Sequence, residues 1–403
     1  MRILQLTPQF PWPTHQGTTL RNFHLLKELA QRHEVHLFSL LGEKDDPARG
    51  PVSDIAASIT TGPQPRRTMG DRIADLFLNI QPDMARRLWR QEAFQALAEK
   101  ALQLQPDILL IEGIEMAPYF FALREAGIPY GKAIYDAHNA ETILQKRTAL
   151  ADLRRPKRWP AALYSSIQTA KLWRYERRLM QHVDGVSAVS EPDANFLRTL
   201  DRTKPLEVVT NGVDMSFYEV DADFPPVFAG PGPHLVFTGK MDFRPNVDAV
   251  LWFTEEVMPR LQAMGIDAHF WVVGRSPHAR LTSLNARAEV TVTGEVPDVR
   301  PYILQADVYV VPLLAGGGTR FKILEALALS KPVVSTHLGA DGIPVKDGEH
   351  LVLANEPEAF ARCIVQLLEN REEAAAMGRR GRAFVAAHFD WKAIVPKLES
   401  LFR

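Results

Sequence analysis

A chain of 403 residues is too long for one ordinary domain, and 46% apolar with 24% charged residues is the balance of a globular protein, so two packed domains are expected. A formal net charge of -1 excludes a general nucleic-acid binder, and the single cysteine, Cys363, excludes an intrachain disulfide framework. No apolar run is long enough to span a bilayer, and the apolar opening of residues 1–8 is too short for a secretory signal, so the expected location is cytoplasmic.

Residues 3–7 are an apolar run that reads as a first buried strand, followed by a loop to Gly17. Thr18 or Thr19 can cap a helix whose apolar positions Leu20, Phe23, Leu26 and Leu29 recur at helical spacing, and residues 34–41 form the next strand. This β-loop-α-β opening predicts a parallel, doubly wound sheet. Residues 42–70 read as loop with one short strand, 71–105 as helical, 107–112 and 130–136 as strands, and 140–182 as a long helical stretch. A strand at 185–190, a helix at 192–200 and a strand at 206–210 lead into a turn shaped by Asn211 and Asp214.

Between 144 and 180 there are ten basic residues and two acidic ones, together with Trp159, Tyr164, Trp173 and Tyr175. Such a segment suits either a solvated helix face or contact with an anionic membrane or phosphate-bearing acceptor, the latter placing the protein peripherally at an inner membrane face.

Composition then changes. Residues 219–233 carry Pro225, Pro226, Pro231, Pro233, Gly230 and Gly232 and are expected to be a linker between a domain at 1–218 and a second at 234–387. In the second domain the alternation restarts with strands at 235–238, 268–273 and 290–293 and a helix at 246–264. The segment 388–403 is expected to be a closing helix that returns to the first domain. Asp221 and Asp223 have the spelling of an Asp-x-Asp metal site, but with no strand leading to them they read as solvating.

The richest stretch runs from Val308 to Leu329: a β-branched apolar strand, three glycines (Gly316, Gly317, Gly318), Thr319, then a helical run containing Arg320, Lys322 and Glu325. Strand, glycine loop and helix start aim free backbone N–H groups at an anion. Arg320 and Lys322 oppose the helix dipole there, so helix stability does not explain them, whereas a bound phosphate does.

These pieces, with the Gln16-Gly17 loop, Asp136-Ala-His138-Asn139, Ser187 to Glu191, Gly239-Lys240 and Gly294 to Asp298, together resemble the retaining GT-B-fold glycosyltransferases of family 4 (glycosyl transferases group 1), and in detail bacterial exopolysaccharide-type sugar transferases. The resemblance implies an α/β fold of two facing Rossmann-like doubly wound domains with an interdomain cleft. It implies transfer of a sugar, with retention, from a UDP- or GDP-linked nucleotide sugar to an acceptor hydroxyl on a saccharide or lipid-linked saccharide. No metal and no further cofactor is expected. Glu325 matches the glutamate that holds the ribose hydroxyls. Lys240, Arg320, Lys322 and Thr319 would face the diphosphate, and His138 the donor sugar. Gly17, Gly239 and Gly316 to Gly318 would let sugar or phosphate approach, and Arg275 and the backbone at Val296 would lie near the base.

Two departures stand out. The family's second diphosphate lysine is absent, with Arg244 or Asn246 nearby, so Arg320 and Lys322 are expected to take its role. The first of two glutamates usual around the reacting sugar is replaced by Gly317. Two other readings therefore remain open: another enzyme on this fold, such as an epimerase or phosphorylase, and a nucleotide-sugar-binding sensor or assembly subunit without turnover.

Overall fold

The computed structural model describes residues 1–14, 17–43, 45–65, 79–153, 158–315 and 320–403. The expected contacts of Gln16, Gly316, Gly317, Gly318 and Thr319 lie outside the described residues. The chain divides into two compact units, the first made of residues 1–211 and 394–403, the second of 212–393.

The first unit is built on a seven-stranded sheet of β1 (Arg2–Thr7), β2 (Glu34–Leu41), β3 (Ser58–Pro63), β4 (Ile108–Glu112), β5 (Lys132–Ala137), β6 (Gly185–Ala188) and β7 (Leu206–Val208), in the order β3-β2-β1-β4-β5-β6-β7. Every pairing is parallel, with Ile3 opposite both Val35 and Ile108. Parallel strands need crossover connections, and those helices cover both faces. Hence β1, β4 and β5 are buried almost throughout, their mostly apolar runs carrying a few buried polar side chains such as Gln5, Glu112 and Asp136. The direction of winding reverses between β1 and β4, which opens a crevice at their carboxyl ends.

The second unit repeats the plan with β8 (His234–Thr238), β9 (His269–Val273), β10 (Val290–Gly294), β11 (Val308–Val311), β12 (Val333–Ser335) and β13 (Val352–Leu353), in the order β10-β9-β8-β11-β12-β13. Its reversal lies between β8 and β11, and the helix Phe321–Ala328 follows β11. The helical run after β8 is continuous from Arg244 to Ala263 but carries a π-turn at Phe253–Val257.

The helix Arg371–His388 lies against Phe321–Ala328 through glycines. A Cβ on Gly378 would stand 2.0 Å from the Ser330 carbonyl oxygen, and one on Gly381 2.6 Å from Leu327 Cδ2. Gly378→Ala must push the two helices apart. It is expected to cost about 1–3 kcal/mol, as overpacking does, and to appear as a lower thermal midpoint; an unchanged midpoint would refute the close-packing argument.

The division between units differs from the expected linker. It falls between Asn211 and Gly212, and the proline-rich segment 219–233 belongs to the second unit. The reason is packing. The Phe228 ring lies 4.9 Å from Trp271 and 4.4 Å from His234, the Val227 amide donates to Gln305 Oε1, and Gln305 Nε2 donates to the Pro225 carbonyl. At the other end, Ile394–Arg403 belongs to the first unit. Glu399 pairs there with Arg32 (2.9 Å) and His33 (2.8 Å), and Ile394, Val395 and Leu398 are fully buried.

Candidate functional site

In the second unit the loops at the carboxyl ends of the strands are tied into one rim. Gly239 N–H donates to the Val273 carbonyl, Met241 N–H to Arg275 and Gly274 N–H to Gly294. Gly274 has φ +149°, and a Cβ there would sit 1.8 Å from the Gly239 carbonyl oxygen, so only glycine lets the ends of β8 and β9 meet.

Lys322 comes up from the helix Phe321–Ala328 into this rim. Its Nζ donates to Asn246 Oδ1 (2.8 Å) and lies 4.0 Å from the centre of the Phe237 ring. Asn246 Nδ2 in turn donates to the Lys240 carbonyl (2.9 Å), so one side chain joins the β8 loop to the cation of the β11 helix. A Cβ on Gly239 would be 3.3 Å from Lys322 Nζ, leaving the ammonium beside bare backbone. Burial pushes the Lys322 ammonium down to about 7; Glu325 works against this and Arg320 adds to it. Arg320 stands just before the helix, only 6% exposed, and burial lowers its guanidinium with Asp341 opposing. Two cations lie close together at one helix start, where burial disfavours the charge of each.

Glu325, one turn on from Lys322, accepts from the Tyr218 hydroxyl at Oε1 (2.9 Å). That bond fixes the carboxylate and leaves lone pairs for a vicinal diol. Burial raises the carboxyl, with Tyr218 and Lys322 drawing it back. Lys240 is placed differently from these. Its backbone belongs to the rim, but its half-exposed side chain pairs with Asp242 (3.2 Å). Arg275 is exposed, Val296 half-buried against the core, and Arg244 pairs outward with Asp248. Of the two candidates for the missing lysine, Asn246 is therefore the one beside the site, and Lys322 brings its charge to that spot from another element. Asp221 and Asp223 are exposed, and Asp214 accepts from Ser216 N–H in a turn.

The first unit has its own polar centre at the carboxyl ends of β4 and β5. His138 Nε2 lies 3.1 Å from Glu112 Oε2 and 3.6 Å from Asp136 Oδ2. Arg21, from the helix Gly17–Leu29, grips both oxygens of Asp136 at 2.6 Å and also donates to the Val209 carbonyl. Gln5 donates to Glu112 Oε1 (2.8 Å), and the Ser187 hydroxyl to Asp136. Glu112 and Asp136 are wholly buried, and Arg21 is 1% exposed. Burial would raise Asp136, but the Arg21 guanidinium holds it well below the usual carboxylate range. Glu112 has no such partner: burial, then the neighbouring Asp136 charge, push it up to about 7. Burial would lower His138, yet its bond to Glu112 and the Asp136 charge raise it overall.

Glu112, Asp136 and His138 have ligand atoms within 4.8 Å of one another, close enough for a cation. Arg21 already occupies both Asp136 oxygens, so a metal there would face a fixed positive charge. A proton shared by Glu112 and His138 suits the arrangement better. Gly17 begins the adjoining helix, with open space where a Cβ would go. His138 and Gly17 thus belong to the first unit, and Gly239, Lys240, Arg275, Val296, Arg320, Lys322 and Glu325 to the second.

Sequence reasoning missed Glu112, Arg21, Asn246 as a tether, and Tyr218. Glu112 did carry a signal, as the lone charge ending the apolar strand Ile108–Glu112. Arg21 and Tyr218 carried none, since an arginine or tyrosine in a polar stretch reads as solvated.

The family model described as Glycosyltransferase Family 4 matches residues 16–217, and that described as Glycosyl transferases group 1 matches 232–370. The phosphatidyl-myo-inositol mannosyltransferase of Mycobacterium leprae is 28% identical over 180 residues, 42% of this chain and 46% of the relative; the chain spans about half or less of the length of the first curated relatives it matches. In structure the chain is similar to a sucrose-phosphate synthase from Thermosynechococcus elongatus (TM-score 0.66, 16% identity, covering 100% of this chain and 98% of that one). It is also similar to Anabaena HepE in complex with UDP and glucose (TM-score 0.58, 15% identity, 98% of each chain). At these identities the structural matches speak for the fold.

Proposed function

From the membership of this chain in glycosyltransferase family 4, which the matched models establish, we propose that it moves a sugar from a nucleotide sugar to an acceptor hydroxyl, with retention and without a metal. The carrying observation is the placement of Lys322 at the β8/β11 reversal, held by Asn246 beside the bare backbone of Gly239. In this reading the diphosphate lies against Lys322 and Arg320, with Lys240 swinging from Asp242 to join them, and Glu325 accepts from the ribose hydroxyls. As the anomeric C–O bond breaks, negative charge grows on the diphosphate, and cations fixed in place stabilise it without reorganising. The acceptor is a saccharide or lipid-linked saccharide, attacking from the leaving-group side. HepE, crystallised with UDP and glucose, supports a uridine donor.

A thermal-shift panel of UDP-, GDP- and ADP-sugars identifies the donor, because a ligand that binds only the folded form raises the midpoint. Calorimetry then tests the site. With Lys322 at about 7 when free, a diphosphate favours its charged form, so binding above that pH must take up a proton. The expected result at pH 8 is proton uptake of up to one per site, read from two buffers of different ionisation heat, with affinity falling as pH rises. Binding without proton uptake removes Lys322 from the diphosphate. Turnover of the identified donor is expected to survive EDTA. A loss restored by Mg²⁺ would overturn the metal-free mechanism, and tight donor binding with no transfer or hydrolysis would leave a sensor.

A further inference from the structure

Of the twelve large apolar side chains that stand exposed among the described residues, six lie on one helical pair, Glu141–Leu153 and Trp159–His182: Leu144, Leu150, Leu153, Trp159, Leu163 and Trp173. On the second helix Trp159, Leu163, Ala170 and Trp173 follow at steps of four, seven and three, so they share one stripe, which Arg177 continues. Trp159 is 59% exposed and Leu163 65%. The first helix shows Leu144, Leu150 and Leu153 to solvent beside Lys146 and Arg147.

Charge is sorted in the same sense. The acids of this pair are turned inward: Glu176 is wholly buried, accepting from the Glu141 and Thr142 amides, and Asp152 is buried against Arg158. Lys146, Arg147, Arg174 and Arg177 are exposed, as are Arg158, paired with Asp152, and Arg178, paired with Glu125, so among the described residues from 143 to 181 every exposed charge is positive. Arg177 lies 5.5 Å from the Trp173 ring centre.

We propose that this helical pair is a docking face for an anionic lipid surface, with Trp159, Leu163 and Trp173 entering the interface and the arginines and lysines meeting headgroup phosphates. Tryptophan and leucine interleaved with basic residues, and no exposed acid, is the make-up of helices that lie in a membrane interface. A second copy of this chain fits poorly, since two such faces would bring like charges together. The inference goes beyond the transferase reading and does not rest on it, because lipid binding needs neither donor nor acceptor.

The test is flotation of the full chain with vesicles of phosphatidylcholine alone or mixed equally with phosphatidylglycerol. Binding is expected on the anionic vesicles, at least about tenfold weaker on the zwitterionic ones, and weakened by high salt, which screens the lipid charge. Trp159→Ala combined with Leu163→Ala, and separately Arg174→Glu combined with Arg177→Glu, are each expected to lower partitioning about tenfold or more with an unchanged thermal midpoint, as exposed positions allow. Absence of flotation, equal flotation on both vesicle types, or variants that float like the parent would overturn the proposal. So would a dimer in analytical ultracentrifugation that the same variants dissolve, which would assign the face to a second copy. Donor binding measured on the same samples separates a failed docking face from a failed transferase assignment.

Discussion

Lys322→Ala is expected to lower kcat for the identified donor by about 10²- to 10³-fold, the loss that follows removal of one fixed donor from a developing oxyanion. The ammonium is held by Asn246, stands on the Phe237 ring and lies beside the bare backbone of Gly239, so it is positioned before any ligand arrives. Preorganisation of that kind stabilises the charge that appears on departure more than the charge already present on the bound donor. The loss should therefore fall more on kcat than on KM. The geometry also yields a rescue. Asn246 occupies the spot that Lys322 reaches, so Asn246→Lys placed on Lys322→Met delivers an ammonium to nearly the same place from the other loop. The double variant is expected to recover at least about tenfold of the lost rate. Equal activities of Lys322→Ala and the parent would remove Lys322 from catalysis. A double variant no better than Lys322→Met would show that the charge must come from the β11 helix.

The second large effect is on stability. Arg21→Ala leaves Asp136 buried without its guanidinium and next to Glu112, and breaking a buried pair from one side costs about 3–5 kcal/mol. For a unit of this size that is a fall in midpoint on the order of 10 °C. The variant should also change pH behaviour. With Arg21 gone, Asp136 gains affinity for a proton, so acid restores part of the loss by neutralising one of the two carboxyls. In the parent the sign is opposite at this residue: its depressed Asp136 contributes stability that is present above the ordinary carboxylate range and lost as pH falls. Thermal scans of both proteins at pH 5 and pH 8 decide the matter. A midpoint within a degree or two of the parent at both would mean that Arg21 is not the counter-charge the geometry makes it.

What could be read from the sequence follows from where each signal lives. The inner strands are legible because parallel strands covered on both faces must be largely apolar, as Val308–Val311 is throughout and Ile108–Glu112 is up to its last residue. Strand β13 has two residues and no period to read. Arg320, Lys322 and Glu325 could be singled out because cations at a helix start contradict the helix's own electrostatics. The Arg21–Asp136 and Tyr218–Glu325 pairs could not, since the partners are 115 and 107 residues apart and only folding brings them together. The division between the units falls before the proline-rich segment and not within it, because Phe228 in the midst of those prolines and glycines packs on Trp271.

Ile394–Arg403 completes the first unit although residues 212–393 intervene. On the ribosome this reverses the usual order of maturation. The second unit is contiguous and can close as soon as it has emerged, whereas the first must wait for its last helix. At typical elongation rates that wait is on the order of 10–40 s. Throughout it, the places later filled by Ile394, Val395 and Leu398 stand open, a window in which a holdase would find the nascent first unit unfinished.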